Sequence, residues 1–240
     1  MSGVLARRAL IRVAPAEPGE DAADFLQGLV TQDVAGPLPA WAALLNAQGK
    51  VVADFVIWRD PREAEALLLD CEADAAAALA KRLTLYRLRR KLTITADDGL
   101  AVHWSPEPFA GAVADPRLPA LGFRALGPVA GDTVDDAWLA HRLSQGVTEG
   151  AAELADLLWL ECNAAELHGV SFAKGCYVGQ ENTARMNWRQ KVNRRLVVVP
   201  LADSEPARQR VAYPALGLAV DHRRVEDVPA ALRPSWWDGG

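Results

Sequence analysis

The chain has 240 residues, half of them hydrophobic and 24% charged, with a net charge of −5 at neutral pH. That length allows one large domain or two small ones around a sizeable core, and the acidic balance argues against a broad nucleic-acid footprint. No apolar run approaches the roughly 20 residues of a membrane-spanning helix, and the N-terminus does not resemble a secretory signal. The three cysteines, Cys71, Cys162 and Cys176, are odd in number and sparse, which favours a reducing cytoplasm over a disulfide framework.

In chain order, residues 4–13 alternate loosely and predict a strand. Residues 21–30, "DAADFLQGLV", place Ala22, Phe25, Leu26 and Leu29 on one helical face, with Asp21 as N-cap. Residues 41–59 predict two strands around an Asn-Ala-Gln-Gly turn, and 65–71 a further strand. An alanine-rich helix is expected from about 73 to 90, its last turn basic as suits a helix C-terminus. "KLTIT" and "LAVHW" are expected as strands of a hairpin around Asp-Asp-Gly. Four prolines between 105 and 120 predict a linker or long loop. A helix over 133–145 should end at Gly146. A short helix is expected from Gly179 to about Met186, with Glu181 and Arg185 as an i,i+4 pair. Residues 194–201 predict a strand, followed by proline-punctuated β material. Strands and helices without regular alternation indicate an α+β protein.

The stretch "SFAKGCYVGQE" (171–181) stands apart. Cys176 lies between Gly175 and Tyr177, just ahead of the expected helix, with Lys174 and Arg185 as sources of positive potential. Thiolate chemistry requires a lowered pKa, which helix N-termini and nearby cations supply. The two glycines permit unusual turns and close approach. This pattern suits a reactive thiol, a metal ligand or an anion site; a buried structural cysteine in a glycine-rich turn is the alternative. Cys162, His168 and Cys176 match no common zinc spacing, and both common nucleotide-binding loops are absent. The basic stretch "YRLRRK" (86–91) reads as a solvated helix end, or as an anchor for an anionic ligand tail.

The segment "GVSFAKGCYVGQENTAR" (169–185) resembles the K-G-C-Y-x-G-Q-E signature of the YgfZ-type proteins, folate-binding relatives of the glycine-cleavage T-protein, an aminomethyltransferase. "DFLQGLVTQDV" (24–34), "NAQGKVVADFVIW" (46–58), "YRLRRKLTI" (86–94) and "LECNAAELHGVSF" (160–172) are similar as well, so the resemblance covers most of residues 4–200. It implies a T-protein-like cloverleaf of α+β modules around a central folate pocket, with a C-terminal β-barrel that is shortened here. The expected division is a folate-binding core over 1–190 and a short β-rich domain over 191–240. By the resemblance, Cys176 is the functional motif cysteine, Asp54 holds the reactive part of the folate, and Trp138 lies against the pterin. Asn46, Glu181, Arg185 and Lys174 are further pocket candidates. A tryptophan near the N-terminus of some members is replaced by Arg8 or Ala9. The implied function is tetrahydrofolate binding in support of iron–sulfur cluster assembly or repair, with client or assembly proteins as partners, no resident metal, and a cytoplasmic setting. The alternative is a tetrahydrofolate-dependent aminomethyl or one-carbon transferase.

Overall fold

A computed structural model describes residues 2–189 and 192–237. The expected domain boundary at 190/191 lies outside the described residues. In order along the chain, strands β1 (Gly3–Val4) and β2 (Arg8–Pro15) precede helix α1 (Ala22–Gln27), then β3 (Ala40–Leu45), β4 (Val51–Asp60), β5 (Glu63–Glu72) and helix α2 (Ala73–Arg87). Next come β6 (Leu92–Asp97), β7 (Ala101–Ser105), β8 (Val113–Ala114), β9 (Phe123–Gly127), α3 (Asp135–Ser144), α4 (Ala151–Leu154) and α5 (Gln180–Trp188). Strands β10 (Arg194–Pro200), β11 (Gln209–Tyr213) and β12 (Leu218–Arg224) complete the chain.

A five-stranded antiparallel sheet, ordered β3-β4-β5-β2-β6, organises the molecule. Its central strands are buried on both faces over much of their length, and the two-residue period sorts their side chains. Ile11, Val13, Phe55, Ile57, Leu67 and Leu69 point to one side, where Phe25 and Leu26 of α1 and Leu79 and Leu83 of α2 cover them. Leu10, Val56, Trp58 and Leu68 point to the other, against Trp104, Trp138, Trp159, Leu196 and Val220. The same alternation places Arg8, Asp54, Asp70 and Glu72 on this second face, in the interior. A four-stranded sheet (β1-β7-β9-β8) and a three-stranded sheet (β10-β12-β11) complete the α+β framework.

Several expectations change. The strand expected over 4–13 is two strands in different sheets. Helix α1 keeps Asp21 as its N-cap, accepting from the N–H groups of Ala23 and Asp24, but stops at Gly28. Strands β6 and β7 do not form the expected hairpin: β6 pairs with β2 and β7 with β1 and β9. The proline-rich stretch after β7 is no loose linker, because Asp115 and Arg117 are buried within it and β8 pairs with β9. Gly146 adopts a φ of +73°, in the left-handed region, as expected just beyond α3. The basic turn after α2 is tied inward, with Arg90 donating to Glu20 and Asp24 and Arg87 to the carbonyl of Leu92. No closed C-terminal barrel forms among the described residues; a three-stranded sheet stands in its place.

Candidate functional site

The expected site residues fall into two groups. Cys176, Lys174, Asn46, Glu181 and Arg185 gather around the glycine-rich motif and the first turn of α5. Asp54 and Trp138 lie in the interior.

The motif loop is pinned from two sides. Thr31, beyond α1, donates its hydroxyl to the carbonyl of Gly169 at 2.7 Å and accepts the N–H of Ala43. Gln32 donates to the carbonyl of His168 at 2.6 Å. Lys174 reaches back into the same loop, donating to the carbonyls of Val30 and Gln32 at 2.6 and 3.1 Å. Its ammonium is therefore an internal clamp, not the surface charge beside Cys176 that the sequence suggested. Burial lowers its pKa from the ordinary lysine value to about 8.

On the other side, the Asn46–Lys50 turn packs against the start of α5. Asn46 Oδ1 accepts the N–H groups of Gln48 and Lys50, so its side chain shapes the turn itself. Asn182 donates to the carbonyl of Gln48 at 2.6 Å. Gly179 has a φ of +80°, and a methyl group there would overlap the carbonyl oxygen of Asn46; only glycine fits both demands. Glu181 and Arg185 form the expected ion pair at 2.8 Å, exposed on the outer face of α5. Further along this face Trp188 is 91% exposed. An open groove of about 570 Å³ runs beside the motif, bordered by Ala47, Tyr177, Gly179, Glu181 and Ala184.

Cys176 sits in this frame as the exposed free thiol, while Cys71 and Cys162 are buried. Burial pushes the Cys71 thiol up to about 12 and the Cys162 thiol well above its ordinary value. Only the thiolate is a nucleophile or metal ligand, so neither buried cysteine competes with Cys176 near neutral pH. No cluster of three or more metal-ligating side chains occurs among the described residues.

In the interior, three arginines and three carboxylates interlock. Arg8 Nε donates to Asp70 at 2.6 Å, and Arg124 reaches both Asp70 and Asp115 at 3.0 and 2.7 Å. Arg117 joins Asp115 at 2.8 Å and Glu149 at 2.7 Å. Burial opposes ionisation of Glu149, yet the guanidinium groups of Arg8, Arg117, Arg124 and Arg142 hold its carboxyl well below the usual range. Asp54 is the fourth carboxyl and makes no ion pair among the described residues. Burial, reinforced by Glu149, raises its pKa to about 6. Its oxygens accept the indole N–H of Trp41 and the N–H of Gly150, each at 3.1 Å.

Trp138 adjoins the same cluster. Its indole N–H donates to Glu149 at 3.1 Å, the Arg124 guanidinium lies 4.5 Å from its ring centroid, and Trp104 meets it edge-on at 5.3 Å. The cavity that borders Trp138 measures about 160 Å³, whereas pockets for drug-sized ligands run to roughly 300–1,000 Å³. The residues thus do not fit a pterin with its tail: the donor, the ring face and both Asp54 oxygens are engaged within the protein.

Sequence reasoning missed most of this cluster. Asp70, in "LLLDC", is a lone charge in an apolar strand, and that signal was readable. Asp115, Arg117, Arg124 and Glu149 lie in segments without period, and their burial depends on tertiary contacts.

No protein-family model matches the chain. It is 38% identical to the human mitochondrial iron–sulfur cluster assembly factor IBA57, over 83% of this chain and 66% of that protein. The chain is similar to the IBA57 assembly factors over most of its length. The corresponding protein of Pyricularia oryzae is 36% identical over 87% of this chain and 59% of its own length, and that of mouse 34% over 83% and 66%. The chain thus spans somewhat less than two thirds of these relatives. The glycine cleavage system aminomethyltransferase T of Bartonella henselae superposes with a TM-score of 0.65 at 13% identity, covering 94% of this chain and 78% of that one. This chain therefore shares the aminomethyltransferase fold. The expected cytoplasmic setting is corrected by the same comparison, since these relatives are named as mitochondrial proteins.

Proposed function

We propose that this chain takes part in iron–sulfur cluster assembly and that Cys176 is the sulfur it contributes. The observation that carries the reading is the contrast among its thiols: one is exposed in a doubly pinned loop, and two are buried and held protonated. The relatives' role in assembly supplies the setting. The cluster is cargo here. Iron–sulfur clusters are generally held by four cysteine thiolates, so a single thiolate requires a partner that supplies the remaining ligands. The open groove beside the motif and the outer face of α5, from Glu181 to Trp188, give such a partner room to approach Cys176.

Tetrahydrofolate has no step in this reading, because the cavity bordering Trp138 measures only about 160 Å³ and the polar atoms of Trp138 and Asp54 are engaged within the protein. The transferase alternative is weakened on the same ground, since the Asp54 oxygens already accept two hydrogen bonds. The test is complementation of a strain lacking the gene. Wild type should restore iron–sulfur enzyme activity, while Cys176→Ser, nearly unchanged in volume, should fold normally and restore little. Full restoration by the serine variant would reject the thiol as the functional group.

A further inference from the structure

A cavity of about 610 Å³ opens at one end of the three-stranded sheet, bordered by Arg194, Arg224, Glu226 and Arg233, with Val192 and Val225 as apolar wall. The sheet register makes it basic. Strands β10 and β12 set Arg194 opposite Arg224 and Arg195 opposite Arg223. Like charges directly opposite each other destabilise an antiparallel pair, because their Cβ atoms lie only about 4.5–5.5 Å apart.

The two arginine pairs point to opposite faces of the sheet, and the chain compensates them differently. Arg195 is ion-paired with Glu166 at 2.5 Å and Arg223 with Asp221 at 2.8 Å, so that face is neutralised from within. On the cavity face, Arg194 is exposed and has no carboxylate partner among the described residues. Arg224 meets only Glu226, at 3.2 Å, and both side chains are more than half exposed. Arg233 is half-buried; it donates to the carbonyls of Val228 and Val225 at 3.2 and 3.4 Å and has no carboxylate partner among the described residues. Three guanidinium groups against one carboxylate leave two positive charges at a concave, solvent-reachable site, on a chain whose net charge is −5. A fitting anion would relieve the Arg194–Arg224 repulsion that the protein leaves standing.

We propose that this cavity binds a small organic phosphate monoester. A phosphate monoester carries close to two negative charges and three strong acceptor oxygens, which matches two facing arginine forks with a third cation beside them. A carboxylate has one charge and two oxygens, and a single guanidinium satisfies it. The volume is in the range of small-molecule pockets, roughly 300–1,000 Å³. It gives more room than a bare phosphate ion fills, so the organic part lies against Val192 and Val225. This site is separate from the Cys176 loop and does not rest on the assembly reading.

The experiment is a thermal-shift and phosphorus NMR titration of the full chain with phenyl phosphate. Benzoate, inorganic phosphate and potassium chloride at matched ionic strength serve as thermal-shift comparisons. Phenyl phosphate should give a saturable rise in melting temperature and a saturable phosphorus shift, with benzoate and inorganic phosphate each about tenfold weaker or more. Arg194→Gln removes a charge that has no carboxylate partner, so it should weaken phenyl phosphate about tenfold or more while leaving the ligand-free melting temperature at or above wild type. A phenyl phosphate response no larger than that of potassium chloride would overturn the proposal, as would unchanged binding in Arg194→Gln. Benzoate binding as tightly as phenyl phosphate would overturn the phosphate assignment, and inorganic phosphate binding as tightly would overturn the role of the apolar wall. A ligand-free melting temperature well below wild type in Arg194→Gln would show that Arg194 is compensated within the protein, against the proposal.

Discussion

At the scale of single residues, neighbours assign the roles. Cys176 differs from Cys71 and Cys162 by its exposure, and the sequence already set it apart, because it alone lies in a glycine-flanked motif while Cys71 and Cys162 sit among apolar and acidic residues. Asp54 shows the opposite case. Its place in "VVADFVI" put it on a strand, and the two-residue period could have sent it to either face. The structure sends it inward, beside three carboxylates already matched by three arginines, and its pKa rises to about 6. The folded protein therefore holds a proton on Asp54 between about pH 4 and pH 6 that the unfolded chain has released. Stability should fall as pH rises across that window, by on the order of 3 kcal/mol for this group, and level off above pH 6. Urea midpoints measured between pH 4 and 7 should show that decline in wild type. Asp54→Asn, which cannot ionise, should lack this component. An identical slope in the two proteins would mean that Asp54 titrates normally.

At the scale of elements, the motif's geometry depends on what lies beneath it. Lys174 ties the Cys176 loop to the Val30–Gln32 loop, and Gly179 lets α5 start against the Asn46–Lys50 turn. Lys174→Met keeps the aliphatic stem and removes the donor to two carbonyls, which should cost about 1–3 kcal/mol. It should also loosen the loop, read as faster hydrogen exchange over residues 169–178 with the five-stranded sheet unchanged. Unaltered exchange there would show that the clamp does not hold the loop. The sequence disclosed the local parts of this arrangement. Asp21 as a cap, the Asn46 turn, the Glu181–Arg185 pair and Gly146 all rest on contacts within a few residues, where propensity governs. The β6–β7 hairpin failed because Asp-Asp-Gly suggests a tight turn without specifying which strands pair across it. Lys174 was misread because a lysine beside a cysteine looks like a surface charge until the distant carbonyls that bury it are known.

At the scale of the whole molecule, the chain has the aminomethyltransferase fold, and its interior holds a cluster of paired arginines and carboxylates. The α+β framework was legible from the motif segments, and the structural likeness bears it out. The filling of the centre was not, because Arg8, Asp70, Asp115, Arg117, Arg124 and Glu149 come from segments far apart in sequence. With that cluster in place, tetrahydrofolate titrated onto the protein should leave tryptophan fluorescence unchanged beyond its own absorbance. Saturable quenching that is lost in Trp138→Ala would show that the interior opens for folate. The central claim is that Cys176 is the sulfur engaged in cluster assembly, and differential alkylation tests it most directly. The protein is isolated anaerobically from cells, split, and alkylated with and without prior removal of iron by a chelator, and each cysteine is then quantified by mass spectrometry. Cys71 and Cys162 should stay unmodified in both samples, and Cys176 should be protected until iron is removed. Equal, complete alkylation of Cys176 with iron present and absent would contradict the account.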